Sequence, residues 1–74
     1  MMRVKPGDVV RIQLPWSEAC MHLRVADAVR DVRILEAGAQ ILNQDGTPYS
    51  FPVTHGEAGI YRDAVGLYVE REAP

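Results

Sequence analysis

From Asp8 to Leu14 apolar and polar positions alternate, with Val10, Ile12 and Leu14 on one face and Val9, Arg11 and Gln13 on the other. That is the period of a half-buried β-strand. Lys5-Pro6-Gly7-Asp8 just ahead predicts a turn, because proline fixes φ at the second position and glycine supplies a positive φ at the third. Pro15 ends the strand. From Ser17 to Ala37 there is no Gly, Pro or Asn, a long run for a meander without its usual turn residues. The spacing predicts one helix near 17–30, capped by Ser17 with Glu18 in its first turn. Met21, Val25, Ala28, Val29 and Val32 would share one side, with Cys20 and Leu23 off it. Met21, Leu23 and Val25 also alternate with His22 and Arg24, so a strand is the open alternative. Val32-Arg33-Ile34-Leu35-Glu36 follows as a strand.

Ala37-Gly38-Ala39 predicts a turn and Gln40-Ile41-Leu42-Asn43 a short strand running into Asp45-Gly46, the strongest hairpin signal of the chain. A two-residue loop there would pair Leu42 with Tyr49 and Gln40 with Phe51. Leu42, Tyr49, Phe51 and Val53 would then point inward together. Pro48 and Pro52 cannot donate to a ladder, so this strand belongs at an edge or is interrupted. After a loop over 54–59, the last strand places Val65, Leu67 and Val69 inward and Tyr68 and Glu70 outward. Glu72-Ala73-Pro74 is expected to fray.

These elements predict a single small domain over 1–74 of the α+β class and rich in β. It would be a small antiparallel sheet or partly open barrel of about five strands with the one helix. At 74 residues one core is barely large enough to offset the entropy lost on folding, so a disulfide, a metal or a second subunit is the usual aid. Cys20 is the only cysteine, which excludes an intrachain disulfide and fits a reducing compartment. Cys20, His22 and His55 match no zinc spacing, and neither metal nor cofactor is expected. Self-association is the remaining aid, so a homo-oligomer is expected. The opening Met1-Met2-Arg3-Val4-Lys5-Pro6 lacks an apolar signal core and no apolar run could span a bilayer, so a cytoplasmic location without membrane contact is expected.

The opening Gly7-Asp8-Val9-Val10 resembles the first strand of many bacterial SH3-like domains. His55-Gly56-Glu57-Ala58-Gly59-Ile60-Tyr61-Arg62-Asp63-Ala64-Val65, running into Leu67-Tyr68-Val69-Glu70, resembles the end of SH3-like small barrels. That likeness implies a Gly-rich loop, a short strand, a 3₁₀ turn near 62–65 and a closing strand, with the helix as an insertion. The proline and tyrosine that bind proline-rich peptides in eukaryotic SH3 domains are replaced by Arg62 and Val65. Ala58-Gly59-Ile60-Tyr61 is similar to the Val-Gln-Ile-Tyr strand of the type II dihydrofolate reductases, keeping the Ile and Tyr and losing the Gln.

Charge narrows the functions further. Residues 1–37 carry six basic and five acidic groups, and 38–74 carry two and five, which is no polyanion-binding profile. Arg24, Arg30 and Arg33 form the one basic candidate, and Asp27, Asp31 and Glu36 cancel their field, so nucleic-acid binding ranks last. Gly56-Glu57-Ala58-Gly59 lacks the Lys-Ser/Thr of a phosphate cradle. No acid–base or nucleophilic constellation is assembled by spacing, and no catalytic residue is assigned. Trp16 would staple onto Met21 or anchor an interface; outward Tyr61, Tyr68 and Val9 are the other binding candidates. The expectation is a non-enzymatic interaction or adaptor module acting as a homo-oligomer, with a protein partner a further possibility. The alternative is a ligand-binding or enzymatic oligomer of the reductase kind.

Overall fold

The structure, a computed structural model, describes residues 1–73. It is β-rich with one short helix: strands β1 (Met2–Val4), β2 (Val9–Gln13), β3 (Val29–Ile34), β4 (Ala39–Ile41), β5 (Ile60–Arg62) and β6 (Leu67–Val69), and helix α1 (Glu18–His22) between β2 and β3. Two three-stranded antiparallel sheets result, ordered β1-β6-β5 and β2-β3-β4. Among the described residues they stay separate ladders rather than one closed barrel. The segment after β6 joins them along a seam, since Gln13 N–H donates to the Arg71 carbonyl and Ala73 N–H to that of Arg11, with Ile12 opposite Glu72. The expected fraying of Glu72 and Ala73 is thus corrected by their pairing with β2; Pro74 lies outside the described residues.

The alternation of β2 is realised as expected: Ile12 and Leu14 are fully buried, while Val9 and Arg11 are exposed. Its preceding turn is closed by Asp8 N–H to the Lys5 carbonyl, with Gly7 at φ 98°. The core joins Val4 of β1, Val32 and Ile34 of β3, Ile41 of β4, and Ile60, Leu67 and Val69 of the other sheet. No described polar or charged residue is buried, so burial of apolar area is the dominant stabilising term in this core.

The helix is shorter than the expected 17–30. Ser17 does cap it, its hydroxyl accepting from Cys20 N–H at 3.1 Å, but Arg24 and Asp27 take positive φ of 61° and 58°. Such residues end a right-handed helix, and Asp tolerates that conformation better than most. Released from the helix, Val29 starts β3 three residues before the expected strand. Cys20, placed off the apolar side by the periodicity, is the one buried residue of α1, whereas Met21 is exposed.

The hairpin register also differs. Asn43 N–H bonds the Thr47 carbonyl and Gly46 N–H the Asn43 carbonyl, giving a three-residue loop, Gln44-Asp45-Gly46, that ends at a glycine with φ 88°. This is the glycine-bulge form of hairpin rather than the two-residue turn. Leu42 therefore lies opposite Pro48, not Tyr49. Of the four residues expected inside, Leu42 and Val53 are buried, whereas Tyr49 and Phe51 are exposed. Val65, also expected inside, is exposed in the turn between β5 and β6. The 3₁₀ turn stands at Gly56–Ala58, before β5, rather than near 62–65.

Candidate functional site

The four binding residues expected from sequence do not form one patch. Tyr61, Tyr68 and Arg3 stand in register across β5, β6 and β1. The two rings have centroids 5.9 Å apart, and the Arg3 guanidinium sits 5.4 Å from the centre of the Tyr68 ring, a stacked cation over an aromatic face. Tyr68 is half-buried under this cover. Val9 belongs to the other sheet, exposed and opposite Arg33. Val9 and Tyr68 are not neighbours, because β6 pairs with β1 and β5 and only its continuation past Glu70 reaches β2. Trp16 is 62% exposed, so it does not act as a buried staple on Met21.

The Arg3 guanidinium forks onto Asp63 with bonds of 2.6 and 2.7 Å, and Asp63 also accepts from the backbone N–H of Val65 and Gly66. Arg3 first, and then those amides, hold the Asp63 carboxyl well below the usual carboxylate range. A carboxyl whose folded value is depressed stabilises the fold above its unfolded value and loses that contribution as pH falls. Urea titrations should therefore show stability dropping once pH passes below 3.8, the ordinary Asp value. Asp63→Asn should be less stable at neutral pH and lose less on acidification. An unchanged acid slope in this variant would remove the assignment.

The strongest surface feature was missed by sequence reasoning. Between the bridges Ala39–Val53 and Leu42–Pro48, β4 advances three residues while the facing segment advances five. Two surplus residues must leave the ladder, and the prolines that bound the excursion cannot donate to it. Phe51 sits on this excursion at 88% exposure, above a shallow hollow lined by Gln40, Pro48, Tyr49 and Pro52. The signal was present in the Pro48-Tyr49-Ser50-Phe51-Pro52 spacing: two prolines four apart on one strand imply a break between them.

Cys20 donates its thiol to the Glu57 carbonyl at 3.3 Å, which the Ser17 hydroxyl also approaches. This ties α1 to the 3₁₀ turn. His55 Nε2 bonds the Leu35 carbonyl at 2.9 Å, and His22 is exposed at the end of α1. The three groups thus stand in separate structural settings, and among the described residues no cluster of three His, Cys, Asp or Glu has metal-holding geometry. No described helix is long and apolar enough to cross a membrane. Comparison with models of protein families, with curated proteins and with solved structures finds no match for this chain.

Proposed function

We propose that the chain is a non-enzymatic interaction module that works as a homo-oligomer, with Phe51 its principal anchor and Trp16, Val9 and Tyr61 as further contact residues. The observation that carries this reading is the 88% exposure of Phe51 on a segment bracketed by Pro48 and Pro52. Covering such a ring gives roughly 1.5–3 kcal/mol. The prolines limit the backbone freedom that binding would otherwise have to remove. A formal charge of −2 offers little repulsion to a second copy, and a domain this small gains from added burial. The buried lone thiol of Cys20 supports a reducing, cytoplasmic setting. Tyr68, already roofed by Arg3, contributes through the aromatic row rather than directly.

The reductase reading finds less support. Gly59 is buried against Pro15 where that family has its glutamine, Ile60 is in the core, and Tyr61 faces Tyr68.

Sedimentation equilibrium from about 1 to about 100 μM covers association energies of about −8 to −5.5 kcal/mol. The average mass should rise reversibly with concentration, and Phe51→Ser should weaken association by about 3–6 kcal/mol, since each dimer loses two anchors. A single monomeric species throughout that range would sink the proposal.

A further inference from the structure

On the far side of Tyr49 from Phe51, a cleft of about 460 Å³ opens beside the hairpin loop. Its volume lies in the range of small-molecule sites. Leu42 forms part of its lining and is only 4% exposed, yet it does not belong to the main core cluster. The reason is in the ladder: Leu42 N–H donates to the Asp31 carbonyl, prolonging β4 by one residue. Alternation then turns Leu42 away from the face of Ile41. Val29, partly exposed, adds a second apolar group to the lining.

The Tyr49 ring closes one side. Its hydroxyl donates to the Leu23 carbonyl at 3.1 Å, which fixes the ring as a wall. Arg11 and Asp31 face each other with bonds of 3.0 and 3.4 Å and neutralise one another. Arg30 also lines the cleft, and its guanidinium makes one bond, from Nη1 to the Val29 carbonyl at 2.9 Å. Its other N–H groups bond no described residue, so one uncompensated cation with free donors lines a cleft that also holds Asn43 and Gln44 beside the apolar groups and the Tyr49 ring.

We propose that this cleft binds a small aromatic carboxylate, the ring lying on Leu42 and Val29 against Tyr49 and the carboxylate taken by the Arg30 fork. A planar carboxylate matches the paired donors of one guanidinium. A phosphate dianion would leave a second charge beside Asp31 with only one free cation to meet it. The cleft shares Tyr49 with the hollow beneath Phe51 but no other lining residue, and Phe51 itself does not line it, so benzoate binding is tested separately from self-association.

The test is a titration of the ¹⁵N-labelled protein with benzoate and with indole-3-acetate, followed by amide shifts. Saturable shifts are expected at residues 29–31, 42–44 and 49. Benzamide, which keeps the ring without the charge, and acetate, which keeps the charge without the ring, should each bind at least about tenfold more weakly, the loss expected for one charge-assisted bond or one buried ring. Arg30→Gln should weaken benzoate by about tenfold or more while leaving the remaining amide spectrum unchanged. Phe51→Ser should leave benzoate affinity as it is. The proposal is overturned if neither aromatic acid gives saturable shifts at the cleft, or if benzamide or the Arg30→Gln protein matches the benzoate result.

Discussion

Ile12→Ala should remove about 2–5 kcal/mol of folding stability, the range for emptying an isoleucine site in a packed core. Ile12 has no exposed surface and lies in the middle of β2. Its strand pairs with β3 on one edge, and Ile12 itself bridges to Glu72 on the other. It therefore packs where the two sheets meet, a place with no flexible surface layer able to collapse into the vacated volume. For a chain of 74 residues total stability is roughly 4–11 kcal/mol at the usual value per residue, so the loss takes a large share of it. Urea denaturation should show a lower midpoint with an unchanged slope. Val65→Ala, at a position 78% exposed, should stay within about 0.5 kcal/mol of the parent. Equal losses in the two variants would contradict the placement of the core.

Ile12 was legible in the sequence because five residues of strict alternation leave only one choice of face. So was the turn at Lys5–Asp8, where proline fixes φ and glycine admits the positive φ that follows; the turn expected at Ala37-Gly38-Ala39 begins earlier, with Leu35 N–H donating to the Gly38 carbonyl. Between Ser17 and Ala28 the signal failed for a different reason. The absence of Gly, Pro and Asn predicts a continuous helix, but Arg24 and Asp27 adopt the left-handed conformation without any glycine. Tertiary packing set the end of α1: Val25 is buried and its N–H bonds the Cys20 carbonyl, turning the chain toward β3. β1 escaped notice because Met2–Val4 is three residues long, too short for a period to show.

The candidate site was the least legible part, and the hairpin explains why. Asp45 Oδ1 accepts from both the backbone N–H and the hydroxyl of Thr47, at 2.9 and 2.6 Å, which favours the three-residue loop over the expected two-residue turn. That added loop residue puts Leu42 opposite Pro48, and the two surplus residues before the Ala39–Val53 bridge then carry Phe51 out to the surface. Trp16 is an interface candidate on sequence because tryptophan is frequent in binding hot spots, beside its staple role on Met21. Phe51 is not, because an alternating strand with a two-residue turn gives it a place inside.

Gly38→Ala should destabilise the fold by about 1–3 kcal/mol, the cost of forcing added volume into a packed place. A Cβ at residue 38 would stand 2.5 Å from the Val53 carbonyl oxygen, well inside contact distance. The obstacle is backbone, so no side-chain rotation relieves it. Moving it means separating Val53 from Ala39, whose reciprocal N–H to carbonyl bonds measure 2.8 and 2.9 Å and hold one end of the Phe51 excursion against β4. The amides of Ala39 and Val53 should accordingly exchange faster in the variant than those of β2, and self-association through Phe51 should weaken along with stability. Gly56→Ala provides the comparison: the same methyl is added where nothing lies within 4 Å and φ is not in the left-handed region. There the reduced freedom of the unfolded chain should leave stability unchanged or raise it by up to about 1 kcal/mol. If thermal or urea unfolding shows the two alanine variants equally stable, the close approach of Val53 does not govern position 38, and the anchoring of the Phe51 segment through the Ala39–Val53 bridge is refuted.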